Sequence, residues 1–190
     1  MKPSLPGSYF DDIYRRDPDP WRFASSAYEA AKYEDTLKAL GDARYDSAFE
    51  IGCSIGVLTR QLAARCASLL SVDISPLALA QAVERNADLP HVRFERMEFP
   101  NQSREGSFDL ILMSEVGYYL SMPDLDQAAQ RCHDLLRTEG ALLLVHYVRE
   151  TDYPLTGDEV HERLLANPGF QAVTDRSTGD YRLTLLRKAG

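Results

Sequence analysis

From about Asp46 onward, short apolar runs alternate with stretches in which apolar residues recur every three or four positions, the pattern of a parallel sheet with crossover helices. Ser47 to Gly52 (SAFEIG) predicts a buried strand, and Val57 to Cys66 follows with Leu58, Leu62, Ala63 and Cys66 at helical spacing. Leu69 to Ile74 (LLSVDI) predicts a second strand. Ser75 then stands as an N-cap with Pro76 at the first helical position, opening a helix that runs to about Asn86. A third strand is expected over Val92 to Met97 and a fourth over Phe108 to Ser114 (FDLILMS). A helix from Pro123 to about Leu136, closed by Gly140, leads to a fifth strand over Ala141 to Val148 (ALLLVHYV).

The tail changes character. Phe170 to Asp175 and Tyr181 to Arg187 are strand-like runs whose five-residue separation, Arg176 to Asp180, is too short for a crossover helix, so an antiparallel hairpin is expected. Ahead of it, Thr156 and Glu159 stand three residues apart as a capping box, opening a short helix that ends before Asn167-Pro168-Gly169. The first 45 residues differ again. They hold Tyr9, Phe10, Tyr14, Trp21, Phe23, Tyr28, Tyr33 and Tyr45, eight of the eighteen aromatics, too many for an unstructured tail. Tyr28 to Leu40 predicts a helix, whereas Asp17-Pro18-Asp19-Pro20-Trp21 predicts a rigid turn. The expected organisation is one domain: a helical lid over residues 1–45 at one sheet edge, and a core over residues 46–190.

Composition narrows the partners. The 190 residues are 44% apolar and 26% charged, ordinary for a folded domain. With 21 basic against 29 acidic residues the net charge is −8, which opposes nucleic acid and anionic membrane surfaces. No apolar run approaches a membrane span, and Pro3, Pro6 and Gly7 interrupt the start where a signal peptide needs an apolar stretch, so a cytoplasmic location is expected. Cys53, Cys66 and Cys132 include no CxxC pair and fit neither a disulfide framework nor a zinc site, so no metal is expected.

The chemistry-bearing motif is Phe49-Glu50-Ile51-Gly52-Cys53-Ser54-Ile55-Gly56, a glycine turn between the first strand and its helix, where open α/β sheets bind ligands. A dinucleotide fingerprint starting at Gly52 wants glycine at 54 and glycine or alanine at 57, but Ser54 and Val57 stand there. An acidic residue, an apolar residue and two glycines four apart suit instead a ligand with a nucleoside at one end and an amino acid at the other, as in S-adenosylmethionine. Asp73, at the end of the second strand, is placed to accept from both ribose hydroxyls.

From Asp46 to Leu186 the chain resembles class I S-adenosylmethionine-dependent methyltransferases. That resemblance implies a Rossmann-like α/β fold with a seven-stranded sheet of order 3-2-1-4-5-7-6, strand 7 antiparallel, and helices on both faces. Tyr9-Phe10 with Tyr14, Asp19-Pro20-Trp21-Arg22-Phe23, Ser26 with Tyr28-Glu29 and Lys32-Tyr33, and Ser114-Glu115-Val116-Gly117-Tyr118-Tyr119-Leu120 resemble the nodulation protein S (NodS) family more narrowly. It implies methylation of the free amine on a deacetylated chitooligosaccharide or another amino sugar, with S-adenosylhomocysteine as product. Implied cofactor contacts are Glu50, Gly52, Cys53, Gly56, Asp73, Ile74, Met97, Glu98, Phe99, Ser114, Tyr14, Trp21 and Tyr28. Glu98 stands where the family usually presents aspartate to the adenine. Gly117 replaces a larger apolar residue, which predicts a wider pocket beside Tyr118.

Tyr118, Tyr119 and His161 are the expected substrate contacts. The proton acceptor is assigned to His146 first, because its strand end is expected to open onto the site, and to Glu115 second. Three other readings stay open: a small-molecule O-methyltransferase, a module that binds S-adenosylmethionine without using it, and, disfavoured by Ser54 and Val57, a nicotinamide oxidoreductase.

Overall fold

Leu110–Met113 of one strand and Leu142–Val145 of the next are completely enclosed, the continuous apolar burial of central strands covered on both faces. They belong to a seven-stranded sheet of order β3-β2-β1-β4-β5-β7-β6 in a computed structural model that describes residues 2–189. The strands are β1 (Ala48–Ile51), β2 (Leu69–Asp73), β3 (Val92–Arg96), β4 (Phe108–Ser114), β5 (Leu136–Tyr147), β6 (Phe170–Ser177) and β7 (Tyr181–Lys188). β1 pairs parallel with β2, β2 with β3, and β4 with β5, whereas β7 runs antiparallel to both β5 and β6. The expected order and the reversed last strand are therefore present.

Two compact units are distinguished. One is Pro6–Glu98, with helices α1 (Gly7–Arg16), α2 (Ala27–Ala39), α3 (Val57–Ala63) and α4 (Pro76–Arg85) beside β1 to β3. α1 is tied to the βα elements of its own unit: Ser75 Oγ donates to Asp11 at 2.6 Å, and Tyr14 is 7% exposed. The expected N-cap at Ser75 holds by position only. Its hydroxyl is spent on Asp11 and makes no cap bond to α4.

The other unit joins the segment through Leu5 to everything from Phe99 onward, with α5 (Met122–Leu135), α6 (Gly157–Leu165), a 3-10 turn at Gly117–Tyr119, and β4 to β7. Thr156 and Glu159 make the predicted reciprocal capping box of α6. One boundary differs from expectation. Gly140 does not close α5, which stops at Leu135, and β5 begins at Leu136, five residues earlier than the apolar run implies. The register with β4 jumps from Phe108↔Leu136 to Leu110↔Ala141, and Glu139 has φ 61°. At Gly140 a Cβ would stand 2.8 Å from the Arg137 carbonyl oxygen, so this glycine serves a bulge. No helix among the described residues is long and apolar enough to cross a membrane.

Candidate functional site

Within the Pro6–Glu98 unit, the turn after β1 is built from left-handed backbone: Gly52, Ser54 and Gly56 have φ of 77°, 50° and 76°. Glycine adopts this without strain, but Ser54 does so only because it is held on two sides. Its N–H donates to Asp73 Oδ2 at 2.8 Å, and its hydroxyl hydrogen-bonds the Tyr14 phenol. Gly56 is glycine for packing as well, since a Cβ would lie 2.9 Å from Ala82 Cα of α4.

Asp73 ends β2, its Oδ1 accepting from Ser75 N–H at 2.9 Å. Desolvation pushes it up to about 6, against the pull of the backbone donors. The residue is half-buried, and a carboxylate has about four lone-pair sites, so acceptor capacity remains for a ligand hydroxyl. Glu50 is different: it is 3% exposed, its Oε2 accepts from Thr59 and Ser71 at 2.7 Å each, and burial pushes it up to about 7. Cys53 is buried beside it and its thiol is pushed well up by desolvation. Ile74 follows, half-buried, its carbonyl accepting from Arg96 Nε at 3.2 Å.

At the end of β3, Met97 N–H donates to the Asp73 carbonyl at 3.0 Å; Met97 is buried and Glu98 exposed. From the aromatic segment, Trp21 meets Tyr14 edge-on at 5.7 Å and stacks on Phe23 at 5.6 Å, which places the first two near the turn through Tyr14. Tyr28 stands on α2, 38% exposed, with Lys32 Nζ 5.3 Å from its ring centre. The structure thus joins Tyr14, Trp21, Gly52, Cys53, Gly56, Asp73, Ile74 and Met97 in one neighbourhood.

The other unit holds the remaining candidates. Phe99 is buried; Ser114 closes β4, paired with Val145. Glu115 has φ 59°, a left-handed conformation that costs a non-glycine residue ~1 kcal/mol or more. Its Oε2 accepts from the Tyr118 hydroxyl and, at 3.1 Å, from Tyr147 N–H. Tyr118 is buried, stacked on Tyr153 at 5.1 Å and edge-on to Tyr119 at 4.7 Å, and burial pushes both phenols well up. Of the pair, Tyr119 is the half-buried one.

Three expectations are corrected here. His146 does not open onto a site: it is 0% exposed, and its Nε2 accepts Gly117 N–H at 2.9 Å. His161, expected to touch substrate, is also 0% exposed, and its ring lies between His146 Nδ1 at 3.1 Å and Thr184. Gly117, in turn, widens nothing, because a Cβ there would lie 2.5 Å from Val160 Cγ1 and 3.0 Å from His146 Nε2. No group of three or more His, Cys, Asp or Glu among the described residues could hold a metal ion.

The family model for nodulation protein S (NodS) matches residues 11–150. The chain belongs to the NodS family. Nodulation protein S of Bradyrhizobium diazoefficiens is 37% identical over 105 residues, which is 54% of this chain and 49% of that protein. The chain thus spans about half the length of that relative. A crystal structure of a candidate methyltransferase from Pseudomonas syringae is 34% identical with a TM-score of 0.77, covering 86% of this chain and all of that one. The N-methyltransferase NodS of Bradyrhizobium japonicum WM9, solved with S-adenosyl-L-homocysteine, superposes with a TM-score of 0.86 over 98% of this chain and 100% of that one. At 23% identity that likeness concerns the fold.

For this NodS-family chain, sequence reasoning missed Ser54 as the Asp73 partner and Thr59 and Ser71 as the partners of Glu50. It also missed Tyr153 against Tyr118, and Thr184 and Asp175 behind His161. Ser71 carried a signal, a lone polar residue inside LLSVDI one strand over from Glu50; the others are distant in sequence and carried none.

Proposed function

We propose that this chain is an S-adenosylmethionine-dependent N-methyltransferase whose acceptor is a small-molecule amine, with the amino group of a deacetylated chitooligosaccharide as the first candidate. The observation that carries the reading is the half-buried Asp73 carboxylate at the end of β2, bonded to the N–H of left-handed Ser54 in the glycine turn. That pairing brings an acceptor for ribose hydroxyls and a side-chain-free backbone surface at Gly52 into one corner, which fits a nucleoside bearing an amino acid. Family membership supports the same donor, and the likeness to the N-methyltransferase NodS of Bradyrhizobium japonicum supports transfer to nitrogen.

When bound, S-adenosylmethionine supplies an electrophilic methyl group on a sulfonium. The residues of the chain hold, orient and keep dry. Asp73 receives the ribose hydroxyls, the Gly52–Gly56 turn lies along the amino-acid portion, and Tyr14 and Trp21 shield that end from water. Attack requires a neutral amine: its lone pair forms the new N–C bond as the S–C bond breaks, and the resulting ammonium sheds a proton. Glu115 is the group for that proton, in preference to His146, whose Nε2 is committed to Gly117.

Calorimetric titration with S-adenosylmethionine, S-adenosylhomocysteine and NAD tests the donor, with binding of the first two and none of the third expected. Methyl transfer to glucosamine-terminated oligosaccharides tests the acceptor. Tight donor binding with no turnover on any amine would reduce the chain to a binding module, and NAD binding would overturn the site.

A further inference from the structure

A buried hydrogen-bond wire crosses the unit that contains Glu115. Its polarity is set at both ends. At one end Gly117 N–H can only donate, so His146 Nε2 must accept and carry no proton, at 2.9 Å. The neutral ring then has its proton on Nδ1, which donates to His161 Nε2 at 3.1 Å. His161 in turn has its proton on Nδ1 and donates to Thr184 Oγ1. The Thr184 hydroxyl donates to Asp175 Oδ1 at 2.7 Å. At the far end Asp175 is ionised, because the Arg182 guanidinium bonds both its oxygens, at 2.9 and 2.8 Å, and holds it at about 2.

His146, His161 and Thr184 are all 0% exposed, and burial holds His161 down at about 2, so the wire stays neutral between its ends. Every donor points toward Asp175. Each bond polarises the next, which makes His146 Nε2 a stronger acceptor for Gly117 than an isolated imidazole. Gly117 is two residues after left-handed Glu115 and begins the turn that carries Tyr118, the phenol bonded to the Glu115 carboxylate. The site end of the wire is a backbone N–H, so no substrate proton can enter it.

We propose that Thr184 and His161 are positioning residues: acting through His146, they clamp Gly117 and thereby hold Glu115 and Tyr118 in the conformation that meets the acceptor. The clamp stands on its own geometry, and its effect on turnover rests on the function proposed above.

The test is nitrogen-15 NMR of the histidine rings together with kinetics, on the full chain. In the wild type both His146 and His161 are expected as Nδ1–H tautomers, the less common form in water. Thr184→Val keeps the side-chain shape but removes the hydroxyl. We expect faster amide exchange at Gly117, a shifted nitrogen-15 resonance of the His161 ring, and about a tenfold loss of kcat/KM for glucosamine-terminated oligosaccharides. Affinity for S-adenosylhomocysteine should stay within twofold, and Thr184→Ser should restore all of these readings. His146→Gln, whose amide can still accept from Gly117 and donate to His161, should keep most of the turnover that His146→Leu loses.

An Nε2–H tautomer at either ring of the wild type would overturn the proposal, as would wild-type Gly117 exchange in Thr184→Val, or a His146→Gln variant as inactive as His146→Leu. If Thr184→Val does not fold, Asp175→Asn at the exposed end of the wire replaces it, with the same exchange readout at Gly117. If the wild type methylates none of these oligosaccharides, the acceptor assignment fails while the tautomers and the Gly117 exchange still decide the clamp.

Discussion

Ser54 donates its backbone N–H to Asp73 Oδ2 at 2.8 Å, tying the left-handed residue of the glycine turn to the carboxylate at the end of the neighbouring strand. Loss of either partner therefore disturbs both. Asp73→Ala removes hydrogen bonds to a charged acceptor, each about 1.5–3 kcal/mol, so affinity for S-adenosylhomocysteine should fall at least tenfold. Gly52→Val should do the same, because a branched side chain is strained at φ 77°. Calorimetry on both variants checks this, and unchanged affinity in both would remove the site assignment.

The same carboxylate gives a pH signature. Burial raises Asp73 to about 6, and the ionised form is the stronger acceptor for two hydroxyls. Affinity for S-adenosylhomocysteine should be constant above pH 7 and fall as the pH drops through 6. Titrations at pH 5, 6 and 7.5 would show it, and Asp73→Asn should flatten the profile.

Glu50 predicts a stability effect of known sign. Its folded value of about 7 lies above its ordinary 4.5, so the fold is least burdened below pH 4.5 and loses stability as the pH rises through 7. Glu50→Gln keeps an oxygen for Thr59 and Ser71 and removes the buried charge. It should unfold at higher urea than the wild type at pH 8, by about 1–3 kcal/mol, with the gap closing toward pH 5.

Gly117→Ala should destabilise by about 1–3 kcal/mol through overpacking, since the new methyl would lie 2.5 Å from Val160 Cγ1. Val160→Ala makes room for it. In a denaturation double-mutant cycle the pair should cost less than the two single changes combined, and simple additivity would argue that the turn moves instead.

The segment before α2 should respond to ligand. Asp19 accepts from Phe23 N–H and Ala24 N–H at 2.7 and 3.0 Å, giving Asp17 to Ala24 a bonded turn that is half-buried to exposed, while Tyr14 reaches Ser54. Proteolysis near Pro18 to Trp21 should slow when S-adenosylhomocysteine is added. Tyr14→Phe, losing one hydrogen bond worth about 1 kcal/mol, should reduce that protection and weaken binding severalfold. Equal cleavage with and without ligand would mark a fixed cap.

The sequence by itself determined the strand set, the hairpin and the glycine turn beside Asp73, because those depend on neighbours in the chain. Period-two and period-3.6 patterns report which face of an element is buried, and Gly52, Gly56 and Asp73 lie at strand ends whose positions the apolar runs define. Even there a local signal could mislead. Gly140 reads as a helix stop and serves a bulge, since its role depends on pairing between β4 and β5. The histidines show where local reading ends. A histidine at a strand end is equally a base or a structural group until its two nitrogens have partners, and those of His146 lie 29 residues back at Gly117 and 15 residues ahead at His161. Only the tertiary structure brought them together. It converted His146 from the expected base into a hydrogen-bond acceptor for the main chain, because a buried backbone N–H left without a partner is costly.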